Sequence, residues 1–392
     1  MDITEWLNLA LRWLHLITGI AWIGSSFYFV WLDNHLTPPK EGAASGELWS
    51  VHGGGFYHKQ KYQVAPPQMP DELHWFKWEA YSTWMSGFAL LVLVYYVGAR
   101  SFLIDSEKLT LAPWQAIGIG LGAIAAGWLA YDGLCRSPLG RDNRALGVVW
   151  FALLTLAAYG LNLVFSARGA YLHIGAMVGT VMAANVFFII IPNQRKVVAD
   201  LIAGRAPDPA LGAMGKQRSV HNNYMTLPLL FIMLSHHYPM TFGAARPWLV
   251  LALVSATGIA VRHIFVLRHK HGDTRKTLGL AVILGLATVT YTTWEKSTAK
   301  PAATNAKLTY ADIQPILAKH CVTCHAAHPA NTAFASPPLG VLLDSAAHAA
   351  TVAPRIKQVA VDSQVMPLGN LTGMTPQERA QLGQWIAGGA QP

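Results

Sequence analysis

Charge is what this sequence has least of. Only 12% of its 392 residues are Asp, Glu, Lys or Arg, against roughly 25% in an ordinary soluble domain, while 53% are hydrophobic. A water-facing surface cannot be built over most of such a chain, so lipid is implied as its solvent. Cysteine is scarce as well. Three cysteines exclude a disulfide framework, and two of them share one short motif while Cys135 stands alone. The net charge of +9 would suit nucleic acid only if Lys and Arg clustered on one face. They sit instead in short gaps between apolar runs, so no nucleic-acid partner is expected.

What the chain does have is long apolar runs. Stretches of near-membrane length lie at Trp6–Leu32, Phe76–Val97, Trp114–Tyr131, Leu146–Phe165, Ala170–Ile191, Tyr224–Met240, Trp248–Leu267 and Thr277–Trp294. The expected fold is therefore all-α, a polytopic membrane bundle of about eight transmembrane helices. The first run has no small-residue cleavage site after a short apolar core, so it is read as a retained helix.

Positive charge in the short gaps sets the orientation. Gaps after spans one, three, five and seven carry Lys59, Lys61, Arg136, Arg141, Arg195, Lys196, Arg268 and Lys270, among others, and the opposite gaps carry few. The N-terminus and everything beyond Trp294 are thus expected on the periplasmic side of a bacterial inner membrane. The membrane domain is read as 1–295, a small, polar, Pro-containing linker as 296–307, and a separate periplasmic domain as 308–392.

That last domain holds the sharpest motif. Cys321-Val322-Thr323-Cys324-His325 is the C-x-x-C-H pattern of covalent haem c, in which both thiols are consumed and the imidazole becomes an axial ligand. Met366 in QVMPLGN is the expected second ligand, with Met374 its rival. Thr309 with Asp312, and Thr375 with Glu378, open the two helices expected to flank the haem, giving a small C-terminal cytochrome c domain. Zinc held by the cysteines and histidines is the competing use, and it lacks a second ligand pair at the usual spacing.

Ionisable residues within spans default to function, and they fall into two layers. His15, His173, His236 and His237 lie in the outer half, where His15 and His173 are the expected ligands of a second, non-covalent haem b; the plainer use of each is a hydrogen bond to a neighbouring helix. Toward the cytoplasmic boundary lie Trp75, Lys77, Trp78 and Glu79, then Arg218, His221, Asn222 and Asn223, then Arg262 and His263. Lys77 and Arg262 offer positive charge, the asparagines donate and accept, and the tryptophans offer stacking faces. An anionic, flat, amide-rich ligand would suit that inventory, and an interfacial anchoring belt would also explain the tryptophans. The first interspan segment, with His52-Gly53-Gly54-Gly55 and Pro66-Pro67, is read as a long loop, either a lid or plain surface.

The segments WLHLITGIAWIGSSFYFVWLDNHL, FKWEAYSTWMSGFALL, HIGAMVGTVMAANVFFIIIPNQ and RSVHNNYMTLPLLFIMLSHHYP, followed by a C-x-x-C-H domain, resemble the bacterial membrane-bound urate oxidases that carry cytochrome c. The resemblance implies oxidation of urate to 5-hydroxyisourate in purine degradation, with electrons leaving through haem c to a soluble cytochrome c or a terminal oxidase and no hydrogen peroxide formed. Around its W-L-H segment, span one is also similar to haem-binding membrane proteins, which favours His15 as a ligand. In the mechanism so implied, Lys77 or Arg262 holds urate's charge, Asn222 and Asn223 its edges and Trp75 its face, while His221 or Glu79 takes a proton. An inner substrate and an outer haem c would stand too far apart across about 30 Å of hydrocarbon for one electron step. Either a middle carrier exists or the substrate site lies near the outer face. A non-catalytic electron conduit and a transporter with a redox-sensing tail are the other readings.

Overall fold

The computed structural model describes residues 3–42, 44–66, 68–298, 308–331 and 334–391. Helix α1 (Ile3–His35) is followed by an antiparallel hairpin of β1 (Gly46–His52) and β2 (Gly55–Lys61). Then come α2 (Trp78–Leu91), α3 (Pro113–Arg136), α4 (Asn143–Val164), α5 (Ala167–Ala184), α6 (Ile191–Ile202), α7 (Pro209–Ser235), α8 (Pro247–His269) and α9 (Arg275–Thr298). Local chemistry marks several starts. The Asp142 side chain accepts from the amides of Arg144 and Ala145, Ser166 from Gly169 and Asp208 from Ala210, while Pro113, Pro209 and Pro247 sit at first helical positions.

Six of these helical stretches are long and apolar enough to cross a membrane: Ile3–His35, Pro113–Arg136, Asn143–Val164, Ala167–Ile202, Pro247–His269 and Arg275–Trp294. The shorter α2, of 14 residues, and the more polar α7 occupy the places of expected spans two and six, and the count of eight rests on them. The long first loop is not featureless as expected: it is the β-hairpin, turned at Gly53 and Gly54, both with positive φ. Pro67 of that segment lies outside the described residues. Helix α9 runs on to Thr298, three residues into the expected linker, and 299–307 lie outside the described residues.

Helix α5 is the centre of the bundle. Tyr171, His173, Ile174, Met177, Val178 and Val181 are all buried, in contact with core residues of α2, α3, α4, α7 and α8. Two helices leave the α geometry through π turns, α2 at Val92–Tyr96 and α5 at Asn185–Ile190. Such turns re-aim side chains; here they carry Tyr95, Tyr96 and Asn185 inward, and all three are buried.

Beyond α9, helices α10 (Tyr310–His320) and α12 (Pro376–Ala387), with the short α11 (Ala346–Thr351) between them, enclose a second core. It contains Ile313, Leu317, Met374, Leu382 and Trp385. The expected capping boxes are both present: Asp312 accepts from the Thr309 amide at 2.7 Å, and Glu378 from the Thr375 amide at 2.7 Å. This unit sits on the bundle end where α1 begins. Ser336 donates to Glu5 at 3.3 Å, Phe334 meets Phe102 edge-on at 6.0 Å, and Asn370 donates to Glu107.

Close helix approach at the centre is set by Gly120 of α3, where an added Cβ would stand 2.5 Å from His173 Nε2. Gly120→Ala should therefore lower stability by ~1–3 kcal/mol, read as a reduced thermal midpoint in detergent. Gly122→Ala, facing open space on the same helix, should not.

Candidate functional site

The polar residues divide into four groups. The most extensive joins α3, α4, α5 and α7 at the bundle end away from the C-terminal unit. Asn143 Oδ1 can only accept, so His221 donates to it from Nε2 (3.2 Å), and His221 Nδ1 accepts from the Tyr131 hydroxyl at 2.8 Å. Asn185 Nδ2 donates to Tyr131 Oη (3.3 Å) and to Asn222 Oδ1 (2.8 Å), and Asn222 donates to the Met182 carbonyl at 2.9 Å. Arg218, only 4% exposed, donates to Asn185 Oδ1 at 3.2 Å and to Asp132 at 2.6 Å, and its guanidinium covers the Tyr131 ring. This network is closed: His221 and Asn222 spend their polar atoms on protein partners.

A second pair lies between α7 and α8. Arg262 donates to Asn223 Oδ1 and rests on the Phe27 ring at 4.3 Å, while Asn223 Nδ2 is buried without a partner. The third group is the start of α2. Lys77 lies over the exposed Trp78 ring at 5.7 Å, and Trp75 packs on Ala80, Val186 and Ile191 with Arg195 above it. Glu79 Oε1 stands 3.8 Å from His74, and its Oε2 is buried without a partner. The single inner pocket expected from the sequence is thus three separate settings. Lys77, Glu79 and Trp75 share no hydrogen bond or ring contact with His221 or Asn222. Tyr131, Asp132, Asn143 and Asn185 were missed as site residues; Asp132 and Asn185, polar side chains at the end of one apolar run and within another, were the signal that would have found them.

The fourth group is the histidine layer. His15 donates from Nδ1 to the Thr83 carbonyl at 3.0 Å, and His173 from Nδ1 to the Gly169 carbonyl at 2.8 Å. That tautomer leaves a lone pair on Nε2, as a metal ligand requires. His173 Nε2, however, takes the Tyr96 hydroxyl at 3.3 Å, and its wholly buried ring is enclosed by Phe165, Tyr95 and Tyr96. His15 is thus tied to α2 through Thr83, and His173 to its own helix through Gly169. Among the described residues, no group of three or more His, Cys, Asp or Glu is placed to hold a metal ion.

In the C-terminal unit α10 ends at His320, immediately before Cys321. His325 donates from Nδ1 to the Val341 carbonyl at 3.0 Å, and its Nε2 has no protein partner among the described residues. This is the supporting bond that orients an axial imidazole. Met366 is half-buried at the rim of the core, against which Cys321 also packs, its amide bonded to the Val359 carbonyl (2.9 Å) and its carbonyl to Arg379 (2.6 Å). Met374 is 1% exposed and fills the core itself. Cys321, Cys324, His325 and Met366 fit a covalent haem with axial imidazole and thioether.

These features define a helical bundle of membrane-crossing dimensions with buried polar networks, bearing a C-x-x-C-H unit on one end. The model of the family described as urate oxidase N-terminal matches residues 1–293. The chain belongs to that family. The match covers the bundle and stops before the C-terminal unit. No curated protein and no solved structure matches the chain.

Two outcomes follow for these sites. Arg218→Gln would leave Asp132 facing only the more exposed Arg136; losing one partner of a buried pair costs ~3–5 kcal/mol, so thermal unfolding should shift down far more than in Arg136→Gln. In the C-terminal unit, the Thr375 amide, then His320, Thr375 Oγ1 and Lys319, hold Glu378 well below its ordinary 4.5, at about 2. A depressed carboxylate stabilises the fold above its unfolded-state pKa and loses that contribution as pH falls through its folded one. Near-ultraviolet circular dichroism during acid titration should show stability declining between about 4.5 and about 2, with Glu378→Gln flattening that part of the profile.

Proposed function

We propose that this protein is a membrane urate oxidase that passes its electrons to a haem c carried by its own C-terminal domain. The reaction is urate + H2O → 5-hydroxyisourate + 2 H+ + 2 e−, so no oxygen is consumed and no hydrogen peroxide forms. The observation that carries the reading is the docking of the C-x-x-C-H unit onto a bundle that belongs to a urate oxidase family. Haem c supplies a one-electron acceptor when attached. Cys321 and Cys324 would bind it covalently, and His325 and Met366 would ligate its iron.

The chain's own residues do the remaining work. Asn370, Glu107, Phe102 and Phe334 fix the C-terminal unit against the bundle. All eight expected spans cross on this reading, and the even number returns the chain to the periplasmic face where it began. That agrees with the C-terminal unit resting beside Glu5. A soluble cytochrome c or a terminal oxidase would take the electrons onward.

Anaerobic addition of urate to purified protein should reduce the haem, seen as sharpening of its absorption bands, at two haems per urate. Met366→Ala should retain covalent haem with an altered spectrum, and Cys324→Ala should lose most covalent attachment. Reduction by a quinol but not by urate would instead establish the electron-conduit reading.

A further inference from the structure

The bundle end that carries the C-terminal unit also gathers positive charge that no acid neutralises. Arg12 of α1, Arg168 in the first turn of α5, and His236 and His237 at the end of α7 act on one another electrostatically. The buried Tyr95, from the π turn after α2, joins Arg168 and Arg12. Among the described residues, neither Arg12 nor Arg168 forms an ion pair with Asp or Glu. Arg12 donates to the neutral Asn8 at 2.6 Å. The buried Arg218, by contrast, has Asp132.

Two nitrogens in the cluster are buried with no partner, Arg168 Nε and His236 Nε2. Desolvated groups of this kind are costly unless something fills their bonding positions. Their chemistry is complementary. Arg168 Nε–H can only donate. In a neutral His236 imidazole with its proton on Nδ1, Nε2 carries a lone pair and accepts. A ligand meeting both needs an anionic oxygen beside an N–H, on a rigid scaffold small enough to lie between α1, α5 and α7.

The same cluster leads to the cysteine motif. Arg168 lies over the Phe102 ring at 5.6 Å, Phe102 meets Phe334 at 6.0 Å, the Phe334 amide donates to the Asn331 carbonyl at 3.1 Å, and the Asn331 side chain reaches Cys324 Sγ at 3.4 Å. A ligand held here would be separated from the haem attachment site by two aromatic rings rather than by the bundle's length.

We propose that Arg12, Arg168 and His236 form the binding site for a small planar organic anion whose N–H groups border its charged oxygens, and that this anion is the urate of the preceding reading, on which the assignment rests. Arg12 and Arg168 hold the charge. His236 Nε2 takes one of the two protons released, and the second leaves to water as the electrons depart.

The test is equilibrium binding of radiolabelled urate to the full-length holoprotein in phosphatidylcholine nanodiscs, with haem reduction followed in parallel. Arg168→Gln and Arg12→Gln should each weaken urate binding at least tenfold, and Arg168→Lys should recover part of it. His236→Gln, which keeps an acceptor oxygen, should weaken urate binding less than either arginine variant and slow haem reduction more than tenfold. Because Arg168→Gln may be read only if folded, its haem spectrum and thermal midpoint are measured alongside, and Arg12→Gln, on the exposed side, supplies the independent variant. Unchanged urate affinity in both arginine variants, with affinity lost in Arg262→Gln, overturns the assignment in favour of the inner end. Unchanged affinity accompanied by loss of co-purifying anionic phospholipid overturns it in favour of a headgroup site. Wild-type protein that binds urate at these residues without reducing its haem sinks the oxidase reading and leaves the site standing.

Discussion

A polar group enclosed in apolar surroundings must find its partner within the protein, and this constraint shapes the bundle more than any packing preference. Helix α5 shows it best. Its sequence supplies small and branched residues that let five neighbours close around it, yet it also brings His173 and Asn185 into zero exposure. Each is met by a side chain delivered through or across a π turn, Tyr96 to His173 and the Tyr131–Asn222 pair to Asn185. The departures from α geometry stand where the hydrogen-bond account would otherwise fail.

Satisfaction also separates framework from site. Around His221 and Asn222 the partners close on one another, and a closed network rigidifies four helices without offering a free atom to a ligand. Around Arg168 and His236 the account stays open, and the open atoms face no acid. Polarity alone does not distinguish these two clusters. Only the partner of each atom does: the His221–Asn222 network is spent, whereas Arg168 and His236 at one end, and Glu79 and Asn223 at the other, each keep an unspent atom.

This explains what was legible in the sequence. Apolar run length marked the positions of the helices because helix burial in lipid is a property of each segment taken alone. The capping residues Thr309, Asp312, Thr375 and Glu378 were equally readable, since a cap is satisfied within three residues. The hairpin at Gly46–Lys61 was missed because its strands are mostly exposed and carry no clean alternation. The bonding of the inner residues was not legible for a different reason. Whether Asn222 is free depends on Asn185 and the Met182 carbonyl, 37 and 40 residues away, and no local pattern carries that information.

Docking of the C-terminal unit follows the same logic in a wetter setting. Asn370 is buried at the junction, with its side chain spanning Glu107 on one side and the Met374 backbone on the other. Next to it Gly369, at φ +55°, brings the backbone against the Ile104 carbonyl, where any side chain would collide. Arg379, buried at 6% exposure, ties the carbonyls of Ala360 and Met366 and projects its charge toward Glu107 and Asp105 of the bundle. The residue that fixes Met366 in place is therefore also held electrostatically by the bundle's loop. A tail without such contacts could present its C-x-x-C-H motif at many distances. These contacts hold the C-x-x-C-H unit in one position, its Phe334 beside Phe102 and Arg168.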